Sequence, residues 1–195
     1  MQQSKEISFE EIKSVLLRFQ DGYLQRDTDR LDEFMQLFSD DANLEVIGTG
    51  GIDPGDDEWC QSLTAVRDLI KSDWENWGDL RLEIERAKIS IRGETAWCAV
   101  PAAVTMHFDR DESYQDYIDY VQQLAEDESI GSPRDRLLEI MRGASNSLYE
   151  LERGETFVWP LRFTAVLIKE GQWRFHQMQF SFATTRFPDV RINSG

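Results

Sequence analysis

The stretch from Phe157 to Ser181, FVWPLRFTAVLIKEGQWRFHQMQFS, constrains this chain most. Two runs rich in Phe, Val, Trp, Leu, Ile and Thr meet at Lys169-Glu170-Gly171-Gln172, where a glycine can take the positive φ of a tight turn, so the stretch reads as a β-hairpin. If Lys169 opposes Gln172, then Thr164 opposes Gln177, Arg162 opposes Gln179 and Pro160 opposes Ser181, all on one face. The other face is Trp159, Leu161, Phe163, Ala165 and Leu167 against Phe182, Phe180, Met178, His176 and Arg174. One face is nearly all apolar. The other sets a few amides and a single Arg among Val166, Ile168, Trp173 and Phe175, which predicts an enclosed polar pocket rather than a wet face.

A chain of 195 residues, 41% hydrophobic and 11% aromatic, is long enough to bury one large core, and a single domain over 1–195 with an insertion is expected. The net charge is −16, with 21 basic against 37 acidic residues and no basic cluster, so nucleic acid and anionic membrane surfaces are poor partners. The N-terminal MQQSKEISFEEIK is polar and starts a helix, no apolar run is long enough to cross a bilayer, and a cytoplasmic protein is expected. Cys60 and Cys98 stand outside any CxxC or CxxH pattern and read as small buried hydrophobes. No metal site and no cofactor is expected.

Ser8-Phe9-Glu10-Glu11 reads as a capping box ahead of a helix with Ile12, Val15, Leu16, Phe19 and Tyr23 on one stripe. Asp27 or Thr28 caps a shorter helix with Leu31, Phe34, Met35 and Phe38 inward, and Phe38-Ser39-Asp40-Asp41-Ala42 ends it. Leu44 to Ile47 is a short strand, and the glycine-rich 48–55, which lacks the Lys of a phosphate loop, is a turn. Ser62 or Thr64 starts a third helix that ends near Trp77-Gly78. Leu80 to Ile91 and Glu94 to Phe108 read as two long strands joined at Arg92-Gly93. Between them and the hairpin, 109–154 reads as a helical insertion, its second helix opened by Ser132-Pro133, docking through Tyr117, Val121, Leu138 and Met141.

Helices followed by long strands predict an α+β fold with helices on one face of a curved antiparallel sheet. The Asp-rich break at 38–42, Arg162-Phe163-Thr164 before the turn, and Trp173 followed by Gln177, Gln179 and Ser181 resemble the SnoaL-like branch of the nuclear transport factor 2-like superfamily, which is related to the association domain of calmodulin-dependent kinase II. The resemblance implies a cone with a pocket between helices and sheet, a small-molecule ligand, and a homodimer. Relatives that isomerise steroids use an Asp of the first strand and a Tyr of helix one. Ungapped counting lands these on Val46 and Gly22, one residue from Glu45 and Tyr23, so that chemistry is disfavoured. Where relatives often carry His, this chain has Gln177 and Gln179, which do not titrate.

The expected ligand contacts are therefore Arg162 as anchor, Thr164, Gln177, Gln179 and Ser181 as hydrogen-bonding groups, and Trp173 and Phe175 as apolar walls. No catalytic residue is assigned. A lyase, isomerase or cyclase acting on a hydrophobic carbonyl compound is the alternative, with His107, Tyr23 or Asp41 as its acid or base. His107 reads as a surface residue near Asp109, His176 as a packed imidazole, and Asp56, Asp57 and Glu58 as a solvated charge run. The apolar face of Trp159, Leu161, Phe163, Met178, Phe180 and Phe182 is too large to stay exposed and is expected to be covered by a second subunit or by the insertion.

Overall fold

The computed structural model describes residues 2–51, 53–55, 58–107, 110–126, 132–151 and 155–182. Among the described residues, five α-helices and a seven-stranded sheet make an α+β fold. Helix α1 (Gln2–Gln25) begins six residues before Ser8, so the Ser8 capping box lies inside it rather than at its start. Asp27 caps the next segment by accepting from the Asp29 amide, and α2 (Leu31–Phe34) follows between two 3-10 turns. Ser62 caps α3 (Leu63–Asn76) by accepting from Ala65 N–H, and the helix buries Val66, Ile70 and Trp74 on one stripe. The strands are β1 (Glu45–Ile47), β2 (Trp59–Cys60), β3 (Asp79–Leu82), β4 (Lys88–Arg92), β5 (Thr95–His107), β6 (Thr156–Glu170) and β7 (Gln172–Phe182). Helices α4 (Arg110–Glu126) and α5 (Pro133–Leu151) stand between β5 and β6.

The strand order is β2-β1-β7-β6-β5-β3, with β4 also on β5. The sheet is mixed, because β1 runs parallel to β7. The expected single strand Leu80 to Ile91 is broken. Leu82 pairs with Ala102 and Lys88 with Ala99, so one side must take up three extra residues, and it does so in a 3-10 turn at Ile84–Arg86. Residues 2–105 with 159–182 form one compact unit, and 106–158 form another.

The 157–181 hairpin folds as expected, with Gly171 at φ 74°, but its register differs. Glu170 opposes Gln172, and a β-bulge at His176 lets Val166 oppose Gln177 while Leu167 opposes Phe175. Together these offsets move the far end by two, so Thr164 opposes Gln179 and Arg162 opposes Ser181, and the face assignments there survive. On the turn side they reverse: Trp173 and Phe175 point inward and Arg174 and His176 outward. The bulge therefore adds Phe175 to the apolar face.

That apolar face is covered from within the chain. Phe19 of α1 lies 5.5 Å from Phe163, 5.2 Å from Phe175 and 6.2 Å from Phe180, and also meets Tyr23, Phe34 and Phe38. Trp159, Leu161, Phe163, Met178 and Phe180 are all buried. The expectation that a second subunit or the insertion covers this face is corrected: the aromatic stripe of α1 needs the same surface and is tethered to it. Truncating Phe19 to Ala should cost about 3–5 kcal/mol by opening a cavity among these rings, read as a large drop in denaturation midpoint. A loss under about 1 kcal/mol would show that the rings do not depend on it.

Candidate functional site

Polar chemistry inside the first unit gathers where α1 ends. The α1 stripe that starts at Ile12 runs through Phe19 to Tyr23, which is fully buried. The chain then turns at Arg26, a non-glycine residue at φ 50°. Three hydrogen bonds hold its guanidinium: to the Tyr23 carbonyl at 3.0 Å, to the Trp74 carbonyl at 3.5 Å and to Asp79 Oδ1 at 3.1 Å. A cation on the last carbonyls of α1 also suits the helix dipole. Arg26 thus ties α1 to α3 and β3, and fixes where Tyr23 points.

The Tyr23 hydroxyl donates to Asp73 Oδ2 at 2.7 Å. Around this pair stand Phe19, Phe34, Trp77 and Phe180, with ring centroids 5.1 to 6.4 Å from that of Tyr23. Burial pushes the Asp73 carboxyl up to about 7; the Tyr23 hydrogen bond opposes this, the nearby Glu58 charge adds to it and Arg26 opposes it. Burial, then Asp73, pushes the Tyr23 phenol well above its ordinary value. Trp74 Nε1 is buried with no hydrogen-bond partner among the described residues.

Glu58 is not a freely solvated charge. Strands β1 and β2 pair antiparallel, and the glycine-rich loop between them folds over it. Gly50 N–H donates to Glu58 Oε2 at 2.6 Å and Gly48 N–H to the Glu58 carbonyl at 2.8 Å. A Cβ on Gly48 would run into the Glu58 side chain, which explains a glycine there. Next to it, Cys60 is buried and its thiol is pushed up, by burial first and then by Asp73. Cys98 is buried too, its thiol pushed up to about 12 by burial.

The residues expected to bind ligand divide. Arg162, Thr164, Gln177 and Gln179 lie exposed on the outer sheet face, and Ser181 is half-buried. Arg162 Nη2 donates to the Phe182 carbonyl at 3.0 Å. Thr164, Gln177 and Gln179 line an open groove of about 460 Å³ with Lys88, Ser90 and Trp97, so this charge-poor face is not enclosed. Gln177 donates to Glu45 Oε2 at 2.6 Å, and Glu45 Oε1 accepts from Trp59 Nε1 at 2.7 Å. Phe175 packs against Phe19, Phe38 and Phe163 in the core. Trp173 is buried, donates to Glu11 Oε2 at 3.1 Å and sits under Lys169 Nζ. It also lines a groove of about 700 Å³ between α1 and the hairpin turn.

Of the three residues weighed as acid or base, only Tyr23 enters the interior cluster. Asp41 accepts from the Asn43 backbone and side-chain amides, which hold it below its ordinary value. His107 is exposed, 3.4 Å from Thr156 Oγ1. His176 is half-buried at the bulge, 3.4 Å from the buried Ser39 hydroxyl. Val46 is buried and Gly22 faces the Phe34 ring, so the ungapped count lands on packing positions. Asp56, Asp57 and Asp109 lie outside the described residues. Among those described, no group of three or more His, Cys, Asp or Glu is placed to hold a metal ion. No described helix is long and apolar enough to cross a membrane.

The model of the SnoaL-like domain matches residues 12–119, more than half of the chain, including Tyr23, Arg26 and Asp73. The chain belongs to the SnoaL-like domain family. No curated protein sequence matches it. Solved structures with a similar fold include a protein of unknown function from Mycobacterium tuberculosis, at TM-score 0.60 and 11% identity over 98% of this chain and 81% of that one. A nuclear transport factor 2-like superfamily protein of Salmonella enterica gives 0.57 and 13% over 98% and 99%. A ketosteroid isomerase-like protein of Erwinia carotovora gives 0.51 and 9% over 91% and 97%. At these identities the likeness shows the fold, which the SnoaL-like domain here shares.

Two outcomes follow from the geometry. A folded-state Asp73 near 7, against an ordinary value of 3.8, keeps a proton that the unfolded chain has lost, so its contribution to stability is present below about pH 4 and lost as pH rises through 7. Asp73→Asn keeps an acceptor for Tyr23 and removes the titration. Its stability relative to wild type should therefore rise by up to roughly 4 kcal/mol between about pH 4 and 8, measured by urea denaturation. A difference that stays flat with pH would place Asp73 as an ordinary carboxylate. On the outer face, Arg162→Met should change the melting temperature by less than about 2 °C, as befits an exposed side chain with one carbonyl partner. A larger loss would show that Arg162 belongs to the scaffold.

Proposed function

We propose that this SnoaL-like domain binds a small, largely apolar molecule carrying a carbonyl or hydroxyl oxygen, inside the first unit at the Tyr23–Asp73 pair. The carrying observation is that pair itself: a phenol and a carboxyl near neutrality, hydrogen-bonded to each other and walled by aromatic rings. A protonated Asp73 and the Tyr23 hydroxyl hold two protons, one shared between them and the other free to donate to a ligand oxygen, and the rings supply apolar walls. Trp74, the next residue on α3, packs on Phe34 and keeps a buried Nε1 with no partner among the described residues, which is uncommon for a buried donor. Trp77, half-buried, packs edge-on against Tyr23 and Phe180 at 5.9 and 5.5 Å and is the wall of the pair nearest solvent. The outer-face residues Arg162, Thr164, Gln177, Gln179 and Ser181 take no part in this reading.

A second reading, proton-transfer chemistry of the isomerase, lyase or cyclase kind on a carbonyl compound, is favoured by the Asp73 value. A group near 7 both gives and takes a proton at neutral pH. The similarity to a ketosteroid isomerase-like protein is in line with that chemistry. We take the working form as a homodimer that engages neither membrane nor nucleic acid, in keeping with a net charge of −16.

Binding of 2-naphthol and 4-nitrophenol, followed by fluorescence and absorbance, tests the site. Saturable binding that weakens about tenfold in both Tyr23→Phe and Asp73→Asn is expected, the loss of one good hydrogen bond in a dry site. Binding that neither substitution alters would move the site elsewhere. Turnover of an added enone or hydroxyketone that is lost in Asp73→Asn would select the catalytic reading.

A further inference from the structure

Helix α1 ends at Gln25 and α3 at Asn76, and one side chain closes both. The last carbonyls of a helix find no partner within it. Arg26 takes one from each helix: Nε donates to the Tyr23 carbonyl at 3.0 Å and Nη1 to the Trp74 carbonyl at 3.5 Å, each the third residue from its helix end. Nη2 donates to Asp79 Oδ1 of β3 at 3.1 Å, and the side chain is 25% exposed. The two carbonyls belong to Tyr23 itself and to the residue after Asp73. One rigid fork therefore sets the separation of the two helix ends, and with it the reach of the Tyr23 hydroxyl to Asp73 Oδ2.

The backbone at Arg26 shows that the fold alone does not call for this residue. Among the described residues it is the one non-glycine at positive φ, the others being Gly55, Gly93 and Gly171. Its N–H donates to the Gly22 carbonyl at 2.9 Å and closes α1 in the left-handed cap where glycine is the usual residue. Glycine adopts that conformation without strain, whereas a residue with a Cβ does not. A strained backbone that carries a fully engaged side chain points to a use for that side chain. Charge alone is not the use. Complementing the helix ends needs only a cation, which Lys supplies, and Arg26 acts on the Asp73 carboxyl less than burial, the Tyr23 bond or Glu58 do.

We propose that Arg26 is a positioning residue for the Tyr23–Asp73 pair: its forked guanidinium holds the two backbones at the separation where phenol and carboxyl meet, in a left-handed conformation that folding alone would give to glycine. The proposal rests on the reading of that pair as the ligand site.

Two variants test it. Arg26→Lys keeps the charge and removes the fork, and Arg26→Gly removes both and frees the backbone. The first readout needs no ligand: exchange of the Tyr23 hydroxyl proton, followed by NMR, should quicken about tenfold or more in both variants as the pair loosens. Binding of 2-naphthol should weaken about tenfold in both. The melting temperature of Arg26→Gly should stay within about 4 °C of wild type, because relief of the backbone and loss of the fork oppose each other. Exchange and binding unchanged in Arg26→Lys would reduce the role to charge and overturn the proposal. An Arg26→Gly chain that melts more than about 10 °C lower, or does not fold, would overturn it by assigning Arg26 to the scaffold. If wild type does not bind 2-naphthol, the ligand reading of the pair falls, and hydroxyl exchange in Arg26→Lys still decides whether Arg26 positions it.

Discussion

The packing of Phe19 against Phe163, Phe175 and Phe180 is the contact on which the rest of the first unit depends. It sets α1 on the sheet at a fixed height, and everything four residues on is placed by the helical repeat. Tyr23 is that next position on the stripe. Its hydroxyl reaches Asp73 only because α1 can neither slide nor roll, and Arg26 then closes the helix by binding α3 and β3 at once. The aromatic core and the polar cluster are thus one mechanical object. The first supplies position, the second supplies chemistry.

Much of this was legible in the sequence, and the failures have definite causes. Period-two alternation correctly grouped Trp159, Leu161, Phe163, Met178 and Phe180, since side-chain parity survives a shift of two residues. What alternation could not say is which layer covers that group. The apolar stripes of α1 and of the hairpin were each visible, but nothing local states that they are each other's partners. The amide-rich face reads as enclosed for want of charge, yet it faces outward with an exposed Trp97 beside it. The bulge at His176 was hidden for a similar reason. An apolar Phe175 fits either face of a strand, and only its fit against Phe19 and Phe38 decides.

The candidate site was half legible. Tyr23 ends an apolar helical stripe, a place where a hydroxyl must find a partner if buried. Its partner Asp73 lies 50 residues away on α3 and carries no local mark, standing among Asp, Lys and Ser residues that face solvent. In the sequence Glu58 reads as part of a charge run, and the glycine loop before it as a turn. Their relation appears only when β1 and β2 pair and bring Gly48 and Gly50 over the carboxylate. Glycines that make no sense as a phosphate loop make sense as clearance for a side chain.

A buried carboxyl near neutrality has a cost, and the cost bears on function. Wherever Asp73 is ionised it lacks a full ion-pair partner, because Arg26 commits its forked end to Asp79 and to backbone carbonyls. A purely structural acceptor for the Tyr23 hydroxyl would be better served by an amide, which holds the same hydrogen bond and never titrates. Glu58, pinned by Gly50, adds a negative charge where a stabilising design would place a positive one. The chain therefore keeps a proton on Asp73 by opposing its loss from two sides, burial and like charge. That arrangement is unfavourable for folding at neutral pH and suited to handing a proton to, or holding it against, an oxygen brought in from outside.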